Sequence, residues 1–377
     1  MKLTILQEKL KEGLGVVGKA SLKSISLPIL NNILLQTEKS FLSLAATDLE
    51  VGIKWWSLAK VENEGKIIVP AQIFSSFINS LPNKKVNLEA KKLDLNIECE
   101  NYKTQLKGYE TEDFPIIPQA IEGEVVSIDS ESFCHGLNQV VGIASPSTTR
   151  PEISGVYLVF ENKTIKMVAT DSFRLGEKTL PINKSSNLRQ SYSLIIPQKA
   201  AKEVVNIFGE KKEELKIYLT PNQILFETLM PEVASHPWAQ LTSRLIDGEY
   251  PNYQEIIPEK HKTEVVVARE EFLNQIKTAS IFSGKINEVK LKIDPQSQKV
   301  TVFSQSPDLG EYTSFFSAKI EGKEMSVSFN HKFLLEGLLN IKGSQISFEL
   351  SGEEGPGVLR PVGDKTYLYI VMPIKAN

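Results

Sequence analysis

The sequence predicts an α+β protein made of three tandem copies of one domain, each with two helices packed on antiparallel sheets. Three observations carry this. A helix with the same apolar steps occurs three times, runs of alternating apolar and polar residues follow each one, and a second helix type closes each set. Self-similarity on this scale marks an array built by duplication.

In the first helix type, Leu10, Leu14 and Val17 recur at steps of four and three, which places them on one helical face. Phe133, Leu137 and Val140 repeat those steps behind Ser130 and Ser132 as candidate N-caps, and Phe272, Ile276 and Ala279 repeat them again. Between the helices the text alternates with period two, as in "ILLQTEKSFLSLAAT", "GVYLVFENKTIKMVAT" and "VKLKIDPQSQKVTVFS", which reads as half-buried strands. The second helix type lies in "VPAQIFSSFINSLP" from Val69, "IPQKAAKEVVNIFG" from Ile196 and "FNHKFLLEGLLNIKG" from Phe329. Pro70 and Pro197 suit the first turn of a helix, and Asn330 suits an N-cap.

Spacing ties the copies together. Leu10 and Phe133 each precede an aspartate by 38 residues, Asp48 and Asp171, and each aspartate ends the triplet Ala-Thr-Asp. From Phe272, 35 residues lead to Pro307, again a turn after an alternating run. The first two copies also close alike, with "DFPIIP" at 113–118 and "EYPNYQEIIP" at 249–258. The expected domains are therefore 1–121, 122–258 and 259–377.

The totals narrow the function. With 41% hydrophobic and 24% charged residues, and no apolar run near spanning length, the chain reads as a globular protein without a membrane partner. "MKLTILQEKLKEG" lacks the apolar core of a signal peptide, so a cytoplasmic location is expected. Cys99 and Cys134 fit a reducing compartment, and the four scattered histidines have no metal-site spacing, so no metal or cofactor is expected. A net charge of −3 argues against gripping nucleic acid by bulk positive charge, while leaving room for a local basic surface. Lys9, Lys19, Lys23, Lys199, Lys202, Lys277 and Lys332 lie on or beside the helices. Read singly they are solvated faces; if the equivalent helices share one surface, they would meet a polyanion through its phosphates without reading sequence.

Catalytic motifs are not evident. "LGEKTLP" at 175–181 and "FSGKIN" at 282–287 both depart from a phosphate loop, and the first reads as a strand. Asp48 and Asp171 would be the carboxylates of a hydrolase, but Thr-Asp at a strand end ordinarily bonds its own turn.

Beyond these readings, "SLPILNNILLQTEKSFLSLAATDLEVGI" (26–53) closely resembles the bacterial DNA polymerase III beta subunits, the sliding clamps. "TTRPEISGVYLVFE" (148–161), "ATDSFRLGEKTLPI" (169–182), "TSRLIDGEYPNYQEIIPE" (242–259) and "YLYIVMPIK" (367–375) match further segments in the family's order. The resemblance implies a head-to-tail homodimer whose six domains close a ring around duplex DNA, held without sequence specificity, and a non-catalytic subunit of the polymerase holoenzyme. It implies that Thr104 and Leu106 meet Ile281 and Phe282 of the partner subunit. It also implies a pocket for short linear motifs of the replicative polymerase alpha subunit, the clamp loader, and repair and translesion polymerases. Carried over by position, the wall is Ile153, Thr170, Ser172, Phe173, Arg174, Leu175, Pro251, Ile256, Pro356, Ile370, Val371, Met372, Pro373 and Ile374, with Arg174 placed to bond peptide carbonyls.

The sequence departs from that pattern at Phe173, where many members have His, and at Glu255, where a basic residue is common. Residues 230–240 read as an insertion in which Trp238 is either a surface wedge or a packed loop. A rival of another class is a monomeric peptide-binding scaffold without DNA, which would share the pocket but not the ring.

Overall fold

The computed structural model describes residues 1–21, 27–118, 123–147, 149–182, 188 and 190–375. The first copy comprises β1 (Lys2–Leu6), α1 (Gln7–Val17), β2 (Asn32–Glu38), β3 (Phe41–Thr47), β4 (Val51–Leu58), β5 (Lys60–Asn63), β6 (Gly65–Pro70), α2 (Ala71–Ser80), β7 (Lys85–Lys91), β8 (Asp94–Cys99) and β9 (Tyr102–Lys107). The second comprises β10 (Glu124–Asp129), α3 (Ser130–Val141), β11 (Gly155–Phe160), β12 (Thr164–Thr170), β13 (Arg174–Pro181), β14 (Tyr192–Pro197), α4 (Gln198–Phe208), β15 (Glu214–Leu219), β16 (Gln223–Leu229) and β17 (Pro237–Arg244). The third comprises β18 (Thr263–Ala268), α5 (Arg269–Ser280), β19 (Glu288–Asp294), β20 (Lys299–Ser306), β21 (Gly310–Ser317), β22 (Lys319–Gly322), β23 (Met325–Asn330), α6 (His331–Asn340), β24 (Gln345–Leu350), β25 (Gly357–Pro361) and β26 (Tyr367–Val371). Each copy runs strand, helix, strands, helix, three strands.

Two compact units emerge. One holds Met1–Cys134, Ile182–Gln190 and Lys202–Leu245; the other holds His135–Pro181, Ser191–Ala201 and Ile246–Asn377, so the division falls inside α3 and α4. The first unit has a five-stranded sheet, β5-β1-β7-β8-β9, and an eight-stranded sheet, β10-β15-β16-β17-β4-β3-β2-β6. The second has a nine-stranded sheet, β14-β11-β12-β13-β26-β25-β24-β18-β22, and a four-stranded sheet, β21-β20-β19-β23. In both large sheets the last strand of one copy pairs antiparallel with the fourth strand of the copy before it, Ala239 opposite Trp55 and Leu175 opposite Ile370. The boundary expected at 121/122 lies outside the described residues.

The apolar helical faces are buried as their periodicity requires: Leu10, Leu14 and Val17 on α1, Phe133, Leu137 and Val140 on α3, and Phe272, Ile276 and Ala279 on α5. Burying each large side chain stabilises by about 1.5–3 kcal/mol. Helix α1 sits so close to its sheet that a Cβ at Gly13 would stand 2.3 Å from the Trp55 ring.

The ends of the helices differ in part from expectation. Pro70 is extended (φ −60°, ψ 118°) and precedes α2 rather than entering its first turn, and Pro197 closes β14. At α3 neither serine caps: Asp129 Oδ2 accepts from the Ser132 N–H at 2.8 Å, while the Ser130 hydroxyl donates to the Phe208 carbonyl at 2.8 Å. Asn330 does cap α6, its Oδ1 accepting from the Lys332 N–H at 3.0 Å. In the insertion, residues 237–240 belong to β17, and Trp238 is packed, with Lys211 Nζ 3.6 Å from its ring centroid. No helix among the described residues is long and apolar enough to cross a membrane.

Candidate functional site

The two Ala-Thr-Asp triplets build the same turn. The Thr47 hydroxyl donates to the Val51 carbonyl at 2.9 Å, and that of Thr170 to the Arg174 carbonyl at 2.7 Å. Asp48 Oδ1 accepts from the N–H groups of Glu50 (2.9 Å) and Val51 (2.6 Å); Asp171 Oδ1 accepts from those of Phe173 and Arg174, both at 3.0 Å. Leu49 and Ser172 hold the left-handed corner, with φ 77° and 78°. Both carboxylates are therefore structural, as local side-chain to backbone bonding favours for this residue type. The third copy turns differently at Pro307, closing on Ser306 and Gly310 (φ 97°).

Beyond the Asp171 turn, β13 lies between β12 and β26, and β26 in turn lies against β25. Leu175 faces Ile370, and the two join Ile153, Tyr250, Tyr253 and Val358 in one buried cluster. Of the expected pocket wall, Ile153, Leu175, Ile370 and Val371 are thus core, and Thr170 is committed to its turn. Phe173 and Ile256 stand open, 61% and 44% exposed. Pro251, Pro356, Met372, Pro373 and Ile374 are half-buried between these extremes. The C-terminal segment is held beside the turn by two backbone bonds: Met372 N–H to the Phe173 carbonyl (2.9 Å) and Ile374 N–H to the Ser328 carbonyl (2.8 Å). Ser172 accepts from Arg150 at 3.1 Å.

Arg174 is held by neighbours on two elements, the turn and α6. It is 9% exposed, its Nε donates to Asp171 Oδ2 at 3.0 Å, it pairs with Glu336, and its guanidinium lies 4.7 Å from the centroid of the Phe333 ring. These contacts brace the wall of the site. Phe333 also stacks on Phe173 at 6.3 Å. Phe333, Glu336, Tyr250 and Tyr253 escaped the sequence reading; only the helical period of "FNHKFLLEGLL" and the aromatics of "EYPNYQ" hinted at them. Glu255 is exposed, its carboxylate accepting from Asn252 at 2.7 Å.

The helix lysines fall into two groups. Lys9 lies 3.7 Å from Glu12 and Lys19 lies 3.9 Å from Glu203, loose surface pairs worth about 0–1 kcal/mol each. Lys202, Lys277 and Lys332 are exposed and Lys199 is half-buried, while Lys23 lies outside the described residues. Thr104 and Leu106 occupy β9, an edge strand, and Ile281 is 63% exposed just after α5. Phe282 stacks face to face on Tyr312 of β21, also an edge strand, with centroids 5.9 Å apart. Cys99 and Cys134 are free and buried, and burial pushes the Cys134 thiol up to about 12, which leaves it inert. Among the described residues no cluster of His, Cys, Asp and Glu could hold a metal ion.

Comparison with known proteins accounts for this layout. Models of the DNA polymerase III beta subunit match in order: the N-terminal domain over residues 1–118, the central domain over 127–252 and the C-terminal domain over 254–375. A beta sliding clamp of Bacillus subtilis is 29% identical over 387 residues, covering 100% of both chains. One of Synechococcus elongatus is 27% identical over 383 residues, covering 100% of this chain and 99% of the relative. The crystal structure of the Bacillus subtilis DNA polymerase sliding clamp matches with a TM-score of 0.93 at 28% identity, covering 100% of both chains. That of the Thermotoga maritima DNA polymerase III beta subunit matches with 0.90 at 25%, again over 100% of both. Matched domain by domain and over its whole length, this chain belongs to the DNA polymerase III beta subunit family, the beta sliding clamps.

Proposed function

We propose that two copies of this chain join head to tail into a closed ring around duplex DNA and tether the replicative polymerase to it. The observation that carries this reading is the ordered match of all three domain models along the chain. The protein is a non-catalytic processivity factor, and both candidate hydrolase carboxylates, Asp48 and Asp171, are occupied in turns. Ring closure falls to the β9 edge with Thr104 and Leu106, against the β21 edge with Ile281 and Phe282 of the partner subunit. A head-to-tail contact makes a closed ring when its rotation closes. The helix lysines, Lys9, Lys19, Lys23, Lys199, Lys202, Lys277 and Lys332, face the phosphates; such contacts carry no sequence information and let the ring translate.

Polymerase, clamp-loader and repair proteins dock by short apolar motifs beside Phe173, Leu175, Ile256 and the segment Met372–Ile374. The exposed Phe173 and Ile256 support this, because large apolar side chains held in water favour a partner. A motif of a few residues buries far less than a standard interface, so affinities of roughly micromolar order are expected. The domains are proposed at 1–121, 122–258 and 259–377.

The test is primer extension on a long circular template with the cognate polymerase, clamp loader and ATP. Adding the wild-type chain lengthens the products, whereas a folded Phe282→Glu variant, monomeric by native mass, does not. Unchanged products with the wild type, or full activity from monomeric Phe282→Glu, would overturn the reading.

A further inference from the structure

Because Asp48 and Asp171 are equivalent, positions 123 apart can be compared: Lys54 on β4 with Glu177 on β13, and Leu34 on β2 with Tyr157 on β11. In the second copy the connector after β17 covers this sheet face. Tyr250 stacks on Tyr157, with centroids 4.6 Å apart and planes 4° apart, and Tyr253 lies beside Glu177. Both connector tyrosines are buried.

The first copy's connector, 108–123, is two residues shorter than the second's, 245–262, and its stretch "DFPIIP" carries no tyrosine where "EYPNYQEIIP" carries two. Its Ile117 packs over Gly52, where a Cβ would come within 2.6 Å of the isoleucine, and the Thr242 hydroxyl donates to the Pro118 carbonyl at 3.4 Å. What remains open beside it is a cleft of about 530 Å³, lined by Leu34, Lys54, Trp56, Lys66, Phe114 and Ile116 among others. Ile116 is 92% exposed at its rim. The cleft shares Ser43, Trp56 and Glu38 with a neighbouring hollow of about 180 Å³, where Phe41 stacks on His236 with centroids 3.8 Å apart.

The charge defines the occupant. Lys54 is half-buried, burial lowers the pKa of its ammonium, and among the described residues it has no carboxylate partner. Lys66 adds a second ammonium near the connector, and Glu38 stands exposed toward the adjoining hollow. In the second copy the carboxylate of Glu177 lies beside the phenol of Tyr253. Here a donor, Lys54, calls for an acceptor on an apolar group, and a charged acceptor makes the stronger bond. The volume lies in the range of ordinary ligand clefts, roughly 300–1,000 Å³.

We propose that this cleft is a second docking site, which takes a short peptide segment of another protein whose apolar side chain fills the connector's gap while a neighbouring carboxylate pairs with Lys54.

The probe is N-acetyl-leucyl-phenylalanine with a free carboxylate, titrated into the full-length chain labelled with ¹³C at isoleucine methyls. Ile116 and Ile117 report on this cleft, and Ile256 and Ile374 on the pocket of the second unit. The expected result is a saturable shift of Ile116 and Ile117 at concentrations up to about 1 mM. The shift weakens about tenfold for the same dipeptide as its amide, or in Lys54→Met, which keeps the apolar stem, while any shift at Ile256 stays as in the wild type. The amide comparison uses the wild-type chain and so does not depend on the variant folding. Shifts confined to Ile256 and Ile374, equal shifts from acid and amide, or no shift at either reporter of the cleft would overturn the proposal.

Discussion

At the turns after β3 and after β12, a threonine hydroxyl and an aspartate carboxylate bond the same backbone groups in the same order. Four residues past each aspartate the copies differ: Gly52 in the first, Leu175 in the second. The first copy lays its connector down on the missing side chain, through Ile117; the second fills the space from the strand and lays two tyrosines over it. Duplication has preserved what the backbone must satisfy locally and released what only has to match a neighbour. A turn that loses its carboxylate strands N–H groups, whereas a strand residue and its connector can change together while the volume stays filled.

Five substitutions would break or sharpen this contrast. Leu175→Ala should cost the most, about 2–5 kcal/mol, because it empties a buried cluster; denaturation should show it, and peptide binding by the second unit should fall with it. A loss under about 1 kcal/mol would place Leu175 outside the core. Gly52→Leu, which gives the first copy the second copy's residue, should cost about 1–3 kcal/mol by overpacking against Ile117. Limited proteolysis of residues 111–118 should accelerate in the same variant, and an unchanged digest would mean that the connector does not rest on Gly52.

Asp48→Ala and Asp171→Ala should each lose turn bonds worth roughly 1 kcal/mol, and Asp171→Ala should lose about 1 kcal/mol more, because Arg174 also loses a charged partner. Equal losses in parallel urea titrations would mean that this ion pair adds nothing to the turn. The smallest effect on stability belongs to Phe173→Ala, within about 0.5 kcal/mol for so exposed a side chain. Its peptide affinity should nevertheless weaken severalfold, and an unaltered affinity would remove Phe173 from the pocket.

The repeat was legible because it rests on periodicity and spacing: the buried faces of α1, α3 and α5, and the 38-residue step to each Asp turn, stand as the sequence indicates. Helix starts were less so, since Ser130 and Ser132 suit a cap by type and only the fold shows that the Asp129 carboxylate is the oxygen that reaches an N–H. Leu175 and Ile370 were assignable by resemblance, yet their burial together needed the pairing of β13 with β26, two strands nearly 200 residues apart. The contacts of Arg174 with Glu336 and Phe333 of α6 likewise needed the fold, since more than 150 residues separate them in the chain. The openness of the first copy's cleft was invisible for the same reason: a connector's length is written in the sequence, but the space it leaves is not.

The central claim, a ring that holds DNA by topology, is tested most directly by loading the chain onto nicked circular plasmid with its clamp loader and ATP, then cutting the circle. The account predicts that the chain stays on the intact circle and is lost on linearisation. Equal, salt-sensitive retention on circular and linear DNA would contradict it.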